Sequence, residues 1–148
     1  MKSSNMTQQE NLATGFAIYA AEFRDGARIL QGAKPFLFYP TFYCAIHSIE
    51  LAIKGHLALC GIPKKKLASK YLGHDLAALV EEAENRNLTS ALNLKPIELQ
   101  SIKLVTSKYS GKCFEYPEIM HSAGSIGSWL DVADNLINGI QHLIPKPC

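Results

Sequence analysis

The sequence predicts an all-α fold, an antiparallel up-and-down bundle of about five helices in a single domain. Three observations predict it. Apolar residues recur three or four apart along most of the chain, the period of a helix with one buried face. No run alternates at period two, so no strand is expected. The breaks between periodic segments are short and carry Gly and Pro, which suits antiparallel neighbours.

The first helix carries Leu12, Phe16, Tyr19, Phe23, Ala27 and Leu30 at helical spacing, and Gly32 and Pro35 end it. The second runs from about Pro40 to Cys60. Phe42, Ala45, Ile46, Ile49, Ala52, Ile53, Leu57 and Cys60 form its wide face, and Leu51, Ala58 and Leu59 add apolar surface opposite. A helix apolar around its circumference belongs in the middle of a bundle. Gly61 and Pro63 stop it. A loop with Lys64, Lys65, Lys66 and Lys70 follows.

The third helix begins near His74, buries Leu76, Leu79, Val80 and Ala83, and ends at "NRNL". Pro96 opens the fourth, a residue suited to a first turn; Ile97, Ile102, Val105 and Tyr109 carry its stripe. Residues 110–118 read as a loop or a short extended piece. The last helix spans about Ser122 to Ile144, with Ile126, Trp129, Leu130, Ala133, Leu136, Ile137, Ile140 and Leu143 in register.

Bulk properties bound the function. The 148 residues suit one domain with a self-sufficient core. A net charge of +2 gives no argument for nucleic acid or membrane by itself. The opening segment is polar and has no secretory core, so a cytoplasmic protein is expected. The long apolar stretch from Phe36 to Cys60 is interrupted by His47, Glu50, Lys54 and His56. It reads as a core helix and not as a membrane span. Cys44, Cys60, Cys113 and Cys148 form no CxxC pair, and the first two read as buried thiols.

The order of certain segments resembles the HEPN domain proteins. It consists of "AIHSIELAIKGHLALCG", a lysine-rich loop, "KYLGHDLAALVEEAENRNL", and "YSGKCFEY" before a last helix. The resemblance covers roughly residues 10–142. It implies an up-and-down helical bundle, commonly a homodimer, often tied to RNA or nucleotide chemistry in toxin–antitoxin or defence systems. Catalytic members carry an arginine, a gap of four to six residues and then a histidine. Here Arg24, Arg28 and Arg86 have no histidine at that distance. The resemblance therefore implies a non-catalytic, dimeric binding or regulatory module, with RNA, a nucleotide or a cognate protein as partner and no cofactor. A divergent metal-independent RNase, and a nucleotide or small-molecule binder, are the alternatives. Trp129 and the second helix supply the apolar surface for a dimer.

Candidate site residues fall into three groups. His74 and Asp75 sit at a helix mouth. Asp75 can start the helix, and His74 is either part of that start or a general base. Glu50 and Lys54 stand four apart in the most apolar helix, Glu first, as an intrahelical pair requires. Buried charges need partners, and His47 and His74 are the two candidates to join them; Glu50, Lys54 and His74 are read as a buried polar network, the other reading being a pocket for an anion or nucleotide. His47 and Glu50 also share a face as two potential metal ligands, but no second copy of the motif exists, and no metal site is expected. The lysines 64–70 with Lys108 and Lys112 interleave with Tyr71, Tyr109, Phe114 and Tyr116. That pattern fits either a phosphate-tracking RNA surface or a solvated loop beside core aromatics.

Overall fold

The computed structural model describes residues 6–70, 72–73, 75–88, 94–109 and 126–144, with the backbone alone for 103–109. Six helices are described: α1 Gln8–Gln31, α2 Phe38–Leu59, α3 Lys64–Leu67, α4 Leu76–Asn85, α5 Pro96–Tyr109 and α6 Ile126–Leu143. No strand is present among the described residues. The fold is an all-α bundle, as the periodicity predicts.

Local chemistry sets the boundaries. Thr7 and Glu10 start α1 as a capping box: the Thr7 hydroxyl accepts from the Glu10 N–H at 3.1 Å, and Glu10 Oε2 accepts from the Thr7 N–H at 2.7 Å. Helix α2 starts two residues before the expected Pro40, because proline in the first turn removes an N–H that would lack a partner anyway. It ends in a Schellman turn. Gly61 has φ 93°, its N–H reaches the Ala58 carbonyl at 3.0 Å, and the Ile62 N–H reaches Leu57 at 3.1 Å. Asn87, at φ 59°, performs the left-handed turn after α4.

The lysine loop is corrected in part: Lys64–Leu67 form one helical turn. The turn has no periodicity to betray it. Leu67, only 2% exposed, anchors it while the lysines stay in water.

Helix α2 is the centre, buried without a break from Ser48 to Ala58, and it packs on α1, α4 and α6. The pairing with α1 is antiparallel: Ser48 Oγ donates to the Ala20 carbonyl at 2.7 Å, and Gly55 lies against Ala13. That seam is narrow. A Cβ on Gly55 would stand 3.4 Å from Phe16 Cβ and 3.6 Å from the Ala13 carbonyl oxygen. Accordingly the buried residues of α1 are Ala13, Ala17, Ala20 and Ala27. The expected stripe of larger residues is displaced: Leu12, Phe16 and Phe23 flank the seam, and Tyr19 is exposed. Close backbones leave room only for methyl groups, so the bulky side chains ride on the edges.

Two other stripe assignments are corrected. Ile97 is exposed, because it stands five positions before the buried Ile102 and that step turns it off the face; Ile102 is buried as expected, Leu94 is buried in place of Ile97, and Leu99 is partly covered. Leu143 is exposed where α6 runs out of core, while Ile126 to Ile140 follow the expected face. Among the described residues no helix is long and apolar enough to cross a membrane.

Candidate functional site

The polar side chains of α2 line up on one side of the helix. Tyr43, His47, Glu50 and Lys54 follow one another at four, three and four residues, so one face presents all of them. Exposure falls along this row, from Tyr43 at 38% to Glu50 at 0%. Lys54 Nζ donates to Glu50 Oε1 at 2.9 Å, and His47 Nδ1 lies 3.1 Å from Glu50 Oε2. Both carboxylate oxygens are thereby engaged. The expected Glu50–Lys54 pair is present, and His47, one of the two candidates to join it, does so. The expectations for His74, Tyr71, Phe114, Tyr116 and the side chain of Tyr109 fall outside the described residues.

Aromatic rings cover the outer end of the row. Phe23 of α1 meets the His47 ring edge-on, with centroids 4.6 Å apart, and Tyr43 stacks on it at 5.5 Å. Burial pushes the Tyr43 phenol above its ordinary value, and the neighbouring Glu50 carboxylate pushes the same way. The row is built to hold charge in place. A general acid or base needs to reach a substrate proton, and here the carboxylate has no exposed surface.

Asp75 proves to be the cap of α4: its carboxylate accepts from the Ala78 N–H at 3.1 Å, and the residue is exposed. Such a cap is worth about 1 kcal/mol. Lys64, Lys65, Lys66 and Lys70 are exposed around α3. Among the described residues no group of three or more His, Cys, Asp or Glu side chains could hold a metal ion. Trp129 is only 5% exposed and belongs to the core, which corrects its assignment to a dimer surface. Arg24 and Arg28 also find a structural use. Both guanidinium groups bind Asp134 of α6, Arg24 Nη1 at 3.4 Å, and tie α1 to α6.

Sequence reasoning missed one residue, His56. It appeared only as an interruption of an apolar run, yet it is 2% exposed, and its Nε2 lies 3.6 Å from Cys60 Sγ one turn on. The available signal was that four-residue spacing at the end of an otherwise apolar helix. Burial pushes the His56 imidazole below its ordinary value. The Arg86 backbone opposes this in part, though Nδ1 makes no hydrogen bond of good geometry. Burial pushes the Cys60 thiol up, against the pull of Arg86. The pair is therefore a neutral thiol beside a neutral imidazole, not an activated thiolate. Cys44 and Cys60 are half-buried, more open than the sequence suggested.

His56 gives a pH expectation with a definite sign. Its folded value lies below the ordinary 6.5, so the unfolded chain takes up the proton first as pH falls. The contribution to stability is fully present above pH 6.5 and is lost as pH falls from there through the lower folded value. Urea denaturation at neutral and mildly acidic pH is expected to show a falling midpoint, with a smaller fall in His56→Gln.

Comparison of the chain with family models, curated proteins and solved structures finds no match.

Proposed function

We propose that the chain is a non-catalytic HEPN-like helical module that acts as a homodimer and serves as a binding or regulatory partner, in the manner of a defence or toxin–antitoxin component. The observation that carries the non-catalytic reading is the closed Glu50 network. Lys54 and His47 occupy both oxygens of a carboxylate with no exposed surface, and Arg24 and Arg28 are committed to Asp134. The charged groups that an RNase would draw on in this part of the chain are structural. The HEPN kinship itself rests on the order of segments in the sequence, and so does a cytoplasmic setting.

The surface offered to a second copy lies where α1 passes to α2. Phe36, Leu37, Tyr39 and Tyr43 are all exposed, and Phe38 meets the rings of Phe36 and Tyr39 edge-on at 6.4 and 5.2 Å. The stretch from Pro35 to Ile49 contains no Asp, Glu, Lys or Arg. A stretch free of charged side chains suits a two-fold, self-complementary contact. Sedimentation at micromolar concentration is expected to give a dimer, and Leu37→Glu with Tyr39→Glu a folded monomer. A native protein that sediments as a monomer would remove the dimer from this account. Incubation with mixed single-stranded RNA, with and without chelator, is expected to leave the RNA intact. Cleavage that disappears in Glu50→Gln or His74→Ala would instead establish the divergent RNase.

A further inference from the structure

A second candidate site lies at the far end of the bundle from the aromatic surface. Helix α1 begins there, and α2, α4 and α6 finish there. Between these ends is a cleft of about 430 Å³. Gln9 builds its frame: the side-chain Nε2 donates to the carbonyls of Ala58 at 3.0 Å and Ile62 at 2.7 Å, which pins the first turn of α1 to the end of α2. Leu59 and Leu143 supply apolar walls, Glu10 and Arg86 opposite charges, and His56 and Cys60 a polar inner side. Leu143, exposed where α6 runs out of core, is part of this lining.

Four groups in the cleft retain unused bonding capacity among the described residues. Arg86 spends only Nε, on Glu82 at 3.1 Å, which leaves both terminal nitrogens of the guanidinium open. Glu10 uses Oε2 in the capping box and keeps Oε1. Gln9 keeps its side-chain oxygen. His56, almost wholly buried, has at Nδ1 only the Arg86 backbone, in a geometry short of a good hydrogen bond, and such a group in an interior can take a better one. One cation and one anion on the rim, with neutral imidazole and thiol inside, match neither a simple anion nor a simple cation. Apolar walls match a short hydrocarbon chain.

We propose that this cleft binds a small zwitterion with an aliphatic side chain, an α-amino acid of the leucine type, with its carboxylate on the Arg86 fork and its ammonium at Glu10. The guanidinium suits the carboxylate because it can bind it through two parallel N–H bonds. The side chain lies between Leu59 and Leu143. The carboxylate also offers His56 Nδ1 an acceptor of better geometry than the Arg86 backbone, directly or through a water. This site is independent of the dimer surface and of the Glu50 network.

Calorimetry separates the parts of the proposal. The probes are leucine, 4-methylpentanoate, which lacks the ammonium, and 3-methylbutylamine, which lacks the carboxylate. Leucine is expected to bind at least about tenfold more tightly than either half-molecule. Arg86→Gln and Glu10→Gln are each expected to abolish that advantage. Glutamine serves at this position of a capping box, so Glu10→Gln keeps the helix start intact. Leucine is also expected to shift the imidazole nitrogen resonances of His56 and to leave those of His142 unmoved. No heat and no shift with millimolar leucine would overturn the proposal. Equal binding of leucine and 4-methylpentanoate, or binding unchanged in both variants, would overturn it as well.

Discussion

Glu50→Leu is expected to cost the protein about 3–5 kcal/mol of folding stability, read as a lowered urea midpoint. The substitution adds apolar volume where the helix is already apolar, so side-chain hydrophobicity alone would forecast a gain. The cost comes from what remains. Lys54, only 8% exposed, keeps its ammonium beside leucine with no anion at 2.9 Å. It must then lose its proton, or strain outward to water, and either response raises the free energy of the folded state. His47 loses the acceptor at its Nδ1 as well. Glu50→Gln is expected to cost less, since an amide oxygen still accepts from Lys54. Loss of Glu50 should therefore unsettle the fold in proportion to any change in binding. A catalytic residue would show the opposite separation, with activity lost and stability kept.

Trp129→Ala is expected to destabilise by a similar amount, about 3–5 kcal/mol, through loss of the buried ring and the cavity it leaves. The indole is 5% exposed on the face of α6 that also buries Leu130, Ala133 and Leu136. The effect should fall on the folding of each chain. Sedimentation of the surviving folded fraction should still give a dimer. Leu37→Glu with Tyr39→Glu should behave in the reverse way, with the midpoint of the isolated chain nearly unchanged and the assembly lost. This contrast separates a core tryptophan from an interface tryptophan, a distinction that periodicity cannot make. Position on an apolar stripe says that a side chain is covered, and leaves open whether its own chain or another copy covers it.

The helices of the bundle were legible because their patterns are long. Helix α6 repeats its apolar residues over several turns, and α2 is apolar on nearly all sides, so central burial follows directly. The Glu50–Lys54 pair was legible for the same reason, since two charges in such a helix have few ways to be satisfied. Misreadings arose where size and burial part company. Tyr19 looked like core because it is large, but the seam between α1 and α2 is lined by small residues, the alanines of α1 with Ser48 and Gly55 of α2. Ile97 and Leu143 sit near helix ends, where a stripe outruns the neighbour that would cover it. One helical turn of three lysines and Leu67 has no period at all. His56 was obscured because its importance depends on the ends of α1, α4 and α6, three segments remote in sequence.

A double-mutant cycle measures whether Glu50 and Lys54 hold each other inside the bundle. Glu50→Leu, Lys54→Met and the double variant are compared with the native protein by urea denaturation. If the two charges are enclosed and hold each other, the double variant will be more stable than Glu50→Leu alone, with a coupling of about 0.5–3 kcal/mol between the sites. Costs that simply add, within about 0.5 kcal/mol, would contradict the claim and return Glu50 to the pool of groups free for chemistry.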